Sequence, residues 1–389
     1  MSTKDKIEVI IVGAGPAGLS AAKVLADAGI KSIVIEKGKK SGSKNFYSGI
    51  ISEEVIMDVF SNFYDDKKNK ILAPFERFID QYRIYILQED TFTSFNVQNN
   101  KSNSLVVLRE HFNSWMIKEV EKLGVKVHTE TVVRELIIEN GIVSGVRTED
   151  KEFHSNAVIV AEGVSSILSK SSGLRIGELS ADQIFIFAEE NISLPAKVIE
   201  ERFNLSPFNG ITAKLFTRGV TEIPSVGYIH TNNNSISIGI GVLFSDSIKI
   251  GKNVNFYLEK LKEHSCIKPL IHNGVTKNFC SYILPATSNK KYIDPTIKIF
   301  SNGCLLVGGS TMLVDLFSWD LSTAAILSGK AAAQTLIRAK EQNDFSEKTL
   351  SYYEQLINKD IIPEIVNSTI VENNDEILND ISSFILKRK

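Results

Sequence analysis

The sequence predicts an α/β protein: a Rossmann-like dinucleotide-binding domain with an interleaved α+β domain built on an antiparallel sheet. Three observations predict it. Residues 7–36 spell a complete strand–helix–strand unit with a glycine-rich first turn. Residues 180–244 switch to alternating strands such as SISIGIGVLF, separated by asparagine-rich turns such as TNNN. The segment CLLVGGS then returns to the strand-then-glycine pattern of the first unit.

Each element follows in order. Ile7 to Val12 is a short β-branched run, read as a buried parallel strand. Pro16 to Ala28 reads as a helix with small residues toward the sheet, ended by Gly29, and Lys31 to Ile35 as a strand finishing at Glu36. Ile50 to Lys70 begins with a helical pattern and runs into YDDKKNK, a solvated loop. Phe75 to Phe95 and Ser104 to Leu108 read as strands on either side of the polar linker QNNKSN. Arg109 to Leu123 has helical spacing, with Gly124 as its stop. Val125 to His128, Thr131 to Ile138 and Gly141 to Thr148 follow as strands, the last two joined by the hairpin-like ENG. Ala157 to Ala161 is a wholly apolar strand that runs into Glu162 and Gly163. From Ser180 to Phe244 the alternation fits a sheet with one covered face. Val254 to His264 is an amphipathic helix, Thr323 to Lys340 a small-residue-rich one, and polar helices follow. This order gives a discontinuous dinucleotide-binding domain (1–74, 104–178 and 291–345), a substrate domain (75–103 and 179–290) and a C-terminal helical segment (346–389).

Length and composition agree with that division. At 389 residues the chain exceeds what one core usually organises. Lys and Arg total 44 against 46 Asp and Glu, a net charge of −2, so no global field gathers nucleic acid and none is expected as a partner. Cys266, Cys280 and Cys304 form no CxxC and are too few for a four-thiolate cluster, so no metal is expected. No signal peptide precedes the first strand and no apolar run reaches spanning length, which predicts a cytoplasmic protein.

The strongest chemical signal is Gly13-Ala14-Gly15-Pro16-Ala17-Gly18. Gly13 allows the tight turn off the strand, Gly15 lets the backbone approach a pyrophosphate, and Gly18 lets helix and strand pack closely. Free N–H groups at the helix start, with Pro16 and Ala17 at its first positions, favour an anion there. Glu36 stands roughly 20 residues on, where a carboxylate reaches the adenosine ribose hydroxyls. FAD and NAD share this geometry, so the motif does not choose between them.

Further segments favour the longer FAD. Arg109 begins a helix after a strand, where its guanidinium could reach a phosphate or the flavin side; a solvent-facing helix start is the competing reading. Glu162 and Gly163 follow a buried strand, where backbone can pass close to a ligand. Gly308, Gly309 and Ser310 follow the strand Cys304 to Val307 and precede a helix, offering a second set of N–H groups.

Less general stretches narrow the reading. Lys44-Asn45-Phe46-Tyr47-Ser48-Gly49 is similar to a KN-aromatic-x-GG loop, with Ile50 in place of its second glycine. Phe187 to Glu190, Leu194-Pro195 and Val198 to Phe203 form a second such stretch, and Gly227 to Asn232 with Ser235 to Gly239 a third. Through these, the sequence resembles FixC-type members of the electron-transfer-flavoprotein:quinone oxidoreductase family. That family lies within the geranylgeranyl reductase-like flavoprotein superfamily, and the resemblance covers nearly the whole chain.

The resemblance implies an FAD-binding fold of the glutathione-reductase/hydroxylase type, with FAD as cofactor. It implies a relay from an electron-transfer flavoprotein to a membrane quinone, peripheral on the inner face of the cytoplasmic membrane. Lys37, Asn45 and Val133 join the expected cofactor-binding residues. No ferredoxin cysteine cluster is present in the sequence, so a separate small ferredoxin-like protein could supply one. Two departures imply a changed pocket or weaker FAD retention: Gly309 stands where the superfamily usually has an acid, and Met312 where a glycine is expected.

Flavin-centred chemistry needs no side-chain nucleophile. The pocket candidates are Tyr47, His230 and Trp319. A structural histidine and ordinary helix packing are the competing readings for the last two, and no proton transfer is assigned to His230. Phe203, Phe208, Leu215 and Phe216 could line an apolar mouth, or else be core. The ILKRK tail could attract anionic lipid, or be a solvated end. Three further functions stay open: prenyl double-bond reduction, FAD-dependent hydroxylation, and a scaffold that has lost FAD.

Overall fold

A computed structural model gives the fold and describes residues 7–39, 41–42, 47–65, 70–98, 104–175, 179–285, 297–312 and 321–363. In chain order the first elements are β1 (Val9–Val12), α1 (Pro16–Asp27), β2 (Ser32–Ile35), β3 (Ser48–Ser52), α2 (Glu53–Val59), β4 (Tyr64–Asp65) and β5 (Lys70–Ile71). Next come β6 (Arg77–Gln88), β7 (Thr91–Gln98), β8 (Ser104–Leu108), α3 (Arg109–Lys122), β9 (Lys126–His128), β10 (Val133–Glu139), β11 (Ile142–Thr148), β12 (Glu152–His154), β13 (Ala157–Val160) and α4 (Ile167–Ser171). The second half holds β14 (Ile184–Ser193), α5 (Ala196–Phe203), β15 (Asn209–Arg218), β16 (Ser225–Thr231), β17 (Ser235–Leu243), α6 (Phe244–Ile250), α7 (Val254–Glu263), α8 (Lys268–Ile271) and β18 (Val275–Pro285). β19 (Phe300–Ser301), β20 (Cys304–Leu306), α9 (Leu321–Gln342), α10 (Glu347–Leu350) and α11 (Tyr352–Leu356) complete the series.

Wholly apolar strands need cover on both faces, and β1 and β13 get it at the centre of a six-stranded sheet ordered β19-β20-β13-β1-β2-β9. Every pairing in it is parallel except β19 with β20. α1 starts from Gly15 in extended conformation, with Pro16 supplying a preset φ at the first position. Small residues let α9 cross α1 at backbone contact: a Cβ on Gly329 would fall 2.0 Å from the Ala17 carbonyl oxygen. β10, β11 and the short β12, which the sequence did not announce, form a separate antiparallel sheet beside it.

The larger sheet has nine strands, ordered β18-β14-β17-β16-β15-β6-β8-β3 with β7 paired to β6. Its pairings are antiparallel except β15 with β6, which is parallel. β3 and β8, expected with the dinucleotide-binding part, are hydrogen-bonded into this sheet, so the divisions at 74/75 and 103/104 pass through it. Phe75 to Phe95, read as one strand, is a hairpin that turns at Glu89 and Asp90. Ile50, read as helical, lies in β3; the helix waits for Ser52, whose Oγ accepts the Val55 N–H at 3.4 Å.

The alternation in β17 has a different cause from the expected solvent face, because β17 is buried on both sides. Its isoleucines join α5 and α7 in one core, while Ser237, Gly239 and Gly241 face the other way. There the missing side chains make room for rings. A Cβ on Gly239 would lie 2.4 Å from Tyr228 Cζ, and one on Gly241 2.4 Å from Phe187 Cζ. Small residues here shape an interior floor.

Candidate functional site

The glycine turn between β1 and α1 has two closed sides and one open one. Gly13 takes φ +110°, and a Cβ on it would stand 2.3 Å from the Ala161 carbonyl oxygen; one on Gly18 would stand 2.1 Å from the Gly13 oxygen. A Cβ on Gly15 meets no atom within 4 Å, so bare backbone faces open space at the start of a 12-residue helix. That is the arrangement an anion needs. Glu36 closes the turn from the next strand: Oε2 accepts the Ala14 N–H at 2.8 Å and Oε1 the Gly38 N–H at 2.7 Å. Ser41 Oγ donates to the Ala14 oxygen. Lys37, next to the acid, is exposed.

A second wall comes from α3. Arg109 is buried, which removes the solvent-facing reading. Its Nη1 donates to Ser322 Oγ at 2.9 Å and its Cζ lies 5.4 Å from the Tyr47 ring centroid, but its Nε has no partner among the described residues. Asn113, one turn on, is buried with both amide atoms unpaired among the described residues, and its Nδ2 lies 3.2 Å from where a Cβ on Gly42 would be. Unpaired buried polar atoms are costly, and a ligand with phosphate or hydroxyl oxygens supplies what they lack. The sequence reading missed Asn113. Its signal was the i,i+4 spacing from Arg109, which puts both on one helix face.

The third wall differs from expectation. The Glu162 carboxylate accepts the N–H groups of Leu168 and Ser169, each at 2.9 Å, and the Ser169 hydroxyl at 2.9 Å, so its side chain holds α4. Gly163 takes φ +76° with open space where its Cβ would be, leaving bare backbone toward the cradle. Gly308 donates its N–H to Ser328 Oγ at 2.9 Å rather than offering it to a ligand. Gly308 to Thr311 form a 3₁₀ turn, not the start of α9. Gly309 packs on Val164, and Ser310 Oγ donates to the Gly163 oxygen at 3.4 Å. Met312 takes φ +56° and is buried in the dinucleotide-domain core. Val133 opens β10, paired with Thr148. Asn45 and Trp319 lie outside the described residues.

The open Gly15, the acid Glu36 at the end of the second strand and the unpaired atoms of Arg109 and Asn113 together fit an FAD molecule.

Beside the Arg109 wall, the larger sheet presents a polar and aromatic floor. Glu189, buried, accepts the Ser48 N–H at 2.9 Å and the Tyr228 hydroxyl. Tyr228 and Tyr282 join hydroxyls at 2.7 Å, and the Tyr282 ring lies 4.8 Å from Tyr47 and 5.3 Å from Phe187. Burial pushes the Glu189 carboxyl up to about 7 and raises both tyrosines well above their ordinary range. His230 Nδ1 is 2.8 Å from Ser48 Oγ; burial, then the charge of Lys214, pushes its pKa down to about 3. The ring is therefore neutral at physiological pH.

The four apolar candidates divide. Phe203 and Leu215 belong to the core under α5 and α7, Phe216 is buried on the floor side with Ile50, Ile84 and Val106, and Phe208 is 71% exposed.

Comparison with known proteins bears on this geometry. Residues 7–185 match the HI0933-like protein Rossmann domain. Protein FixC of Azorhizobium caulinodans is 30% identical over 370 residues, 92% of this chain and 82% of the relative. The probable electron transfer flavoprotein-quinone oxidoreductase YdiS of Escherichia coli K12 is 30% identical over 359 residues, 90% of this chain and 81% of the relative. In fold, a geranylgeranyl bacteriochlorophyll reductase-like protein of Thermoplasma acidophilum superposes with a TM-score of 0.72 at 20% identity, covering 98% of this chain and 91% of that one. With its glycine cradle, its α3 wall and a FixC match along nearly its whole length, the chain belongs to the FixC family.

Proposed function

We propose that this FAD-dependent oxidoreductase relays electrons from an electron-transfer flavoprotein to a quinone. The observation that carries the reading is the aromatic wall Tyr47–Tyr282–Phe187, with centroid separations of 4.8 and 5.3 Å, standing next to Arg109. A flat, unsaturated acceptor stacks on such a wall. The likeness to YdiS supports the choice of donor and acceptor.

When bound, FAD supplies the redox chemistry, taking up and releasing electrons. The chain's residues hold and orient it. Gly15 with the first N–H groups of α1 would hold the pyrophosphate, in a turn that Gly13 and Gly18 allow, and Glu36 would hold the ribose. Arg109 and Asn113 supply donors from the α3 side. Tyr47 lies within ring-contact distance of both the Arg109 guanidinium and the Tyr282 ring. A separate small ferredoxin-like protein fits the same relay as an additional partner. Quinone access calls for a peripheral position on a membrane; among the described residues no helix is long and apolar enough to cross one.

A second reading, saturation of a prenyl double bond, is favoured by the apolar extension of the floor through Ile50, Ile84, Val106 and Phe216. Anaerobic visible spectroscopy separates the two. Dithionite should bleach the flavin bands, and a short-chain quinone should restore them if the relay reading holds. Flavin that reduces but ignores quinone, yet reoxidises with a prenyl alkene, supports the second. Protein that takes up no FAD on reconstitution overturns both.

A further inference from the structure

β14 carries two adjacent acids, and because successive side chains in a strand point to opposite faces, they meet opposite environments. Glu190 faces α7, where Lys262 Nζ pairs with it at 3.0 Å and Thr276 donates to it at 2.9 Å. Glu189 faces the floor. Its hydrogen-bond partners among the described residues are neutral: the Ser48 backbone and hydroxyl, the Tyr228 hydroxyl and the Ser237 side chain. The other titratable groups near it are Cys280, directly across in β18, Tyr282, His230 with Lys214 behind it, and Tyr47 at the edge. An unpaired buried carboxylate is expensive, so such a group takes a proton instead.

From that proton a continuous path leads outward. The Tyr228 hydroxyl touches Glu189 Oε2 on one side and the Tyr282 hydroxyl at 2.7 Å on the other. Tyr282 is half-buried on the edge strand and stacks near Tyr47, at the Arg109 wall. Turning a quinone into a quinol takes two electrons and two protons, so a site doing that chemistry needs a route by which protons reach the acceptor.

We propose that Glu189 is the proton store of this site and that Tyr228 and Tyr282 carry its proton to the reacting molecule. The step balances within the chain. The Glu189 Oε2 proton passes to Tyr228 Oη, the Tyr228 proton to Tyr282 Oη, and the Tyr282 proton to the reduced acceptor. Both tyrosines end as they began, the carboxyl ends as carboxylate, and water later returns its proton by the same path. The second proton comes from solvent. The inference rests on the quinone reading for its acceptor, but the titration of Glu189 does not.

The test follows the carboxyl directly in the FAD-loaded protein by infrared difference spectroscopy across pH, alongside stopped-flow reoxidation by a short-chain quinone. Wild type should show a protonated-carboxyl band lost with a midpoint about pH 7. Glu189→Gln, which can still accept from Ser48, should lack the band, and Glu190→Gln should keep it. Tyr282→Phe should keep the band yet slow reoxidation by roughly a hundredfold, the low end for a lost proton-transfer group. A band with no titration near neutrality, or one that survives Glu189→Gln, overturns the store. Unchanged reoxidation in Tyr282→Phe overturns the path, even if Glu189→Gln does not fold. A titrating band in a protein that ignores quinone overturns the quinone reading and the delivery step, and leaves the store standing.

Discussion

Glu36 Oε2 accepts the N–H of Ala14 at 2.8 Å, tying the last residue of the second strand unit to the turn that follows the first strand. Its other oxygen accepts the Gly38 N–H at 2.7 Å. The acid proposed to meet a ribose therefore also shapes the glycine turn, and the two roles can be measured apart.

Glu36→Ala should lower the stability of the FAD-free protein by about 2 kcal/mol, because two backbone N–H groups lose a charged acceptor. Thermal unfolding of the stripped protein reads this loss. FAD titration by flavin fluorescence should show a further weakening of roughly tenfold or more, from the ribose contact.

Asn113 should respond with opposite signs. Its amide has no partner among the described residues, so Asn113→Leu removes a buried unsatisfied group and should raise the melting temperature of the FAD-free protein. The same change should weaken FAD binding by roughly tenfold, about one hydrogen bond's worth. A parallel rise or a parallel fall in both quantities would show that Asn113 serves packing alone.

Gly241→Ala tests the floor. Its methyl would stand 2.4 Å from Phe187 Cζ, so the ring must move, at a cost of about 1–3 kcal/mol. Phe187→Leu in the same chain should recover most of that stability. A double-mutant cycle in denaturant gives the coupling between the two positions.

The pH dependence of stability should divide by residue. Glu189 has a folded pKa raised from 4.5 to about 7, so between those values the folded state holds a proton the unfolded state has lost, and stability falls as pH rises. His230 has a folded pKa lowered from 6.5 to about 3, so the unfolded state holds the extra proton over that window and stability rises with pH. Between pH 4.5 and 6.5 the two slopes oppose each other in the native protein. Glu189→Gln should leave a stability that climbs with pH there, and His230→Asn one that declines, each by about 1.4 kcal/mol per pH unit at most. Denaturant midpoints across that range check both signs.

Much of the cradle was legible because its chemistry is local: Gly13, Gly15, Gly18 and Glu36 are fixed by one strand–helix–strand unit of consecutive residues. The nine-stranded sheet was less so. Nothing near Ser48 or Ser104 announces that β3 pairs with β8 and β8 with β6, since partners far apart in sequence are chosen by the whole sheet. Gly239 and Gly241 misled for the same reason: in β17 a small residue looks like a solvent face until the Tyr228 and Phe187 rings are seen filling the space. Glu189 and Glu190 read alike as neighbouring acids, and strand orientation alone separates an ion pair from a buried carboxyl.

The close crossing of α1 and α9 sets a schedule for biosynthesis. β20 completes one side of β13, and Gly329 seats against Ala17, three centuries of residues after the glycine turn leaves the ribosome. Until then α1 packs on β1, β2, α2 and α3 without α9, and Arg109 lacks the Ser322 hydroxyl that accepts from it. The first motif of the chain is thus completed only by residues of its C-terminal third.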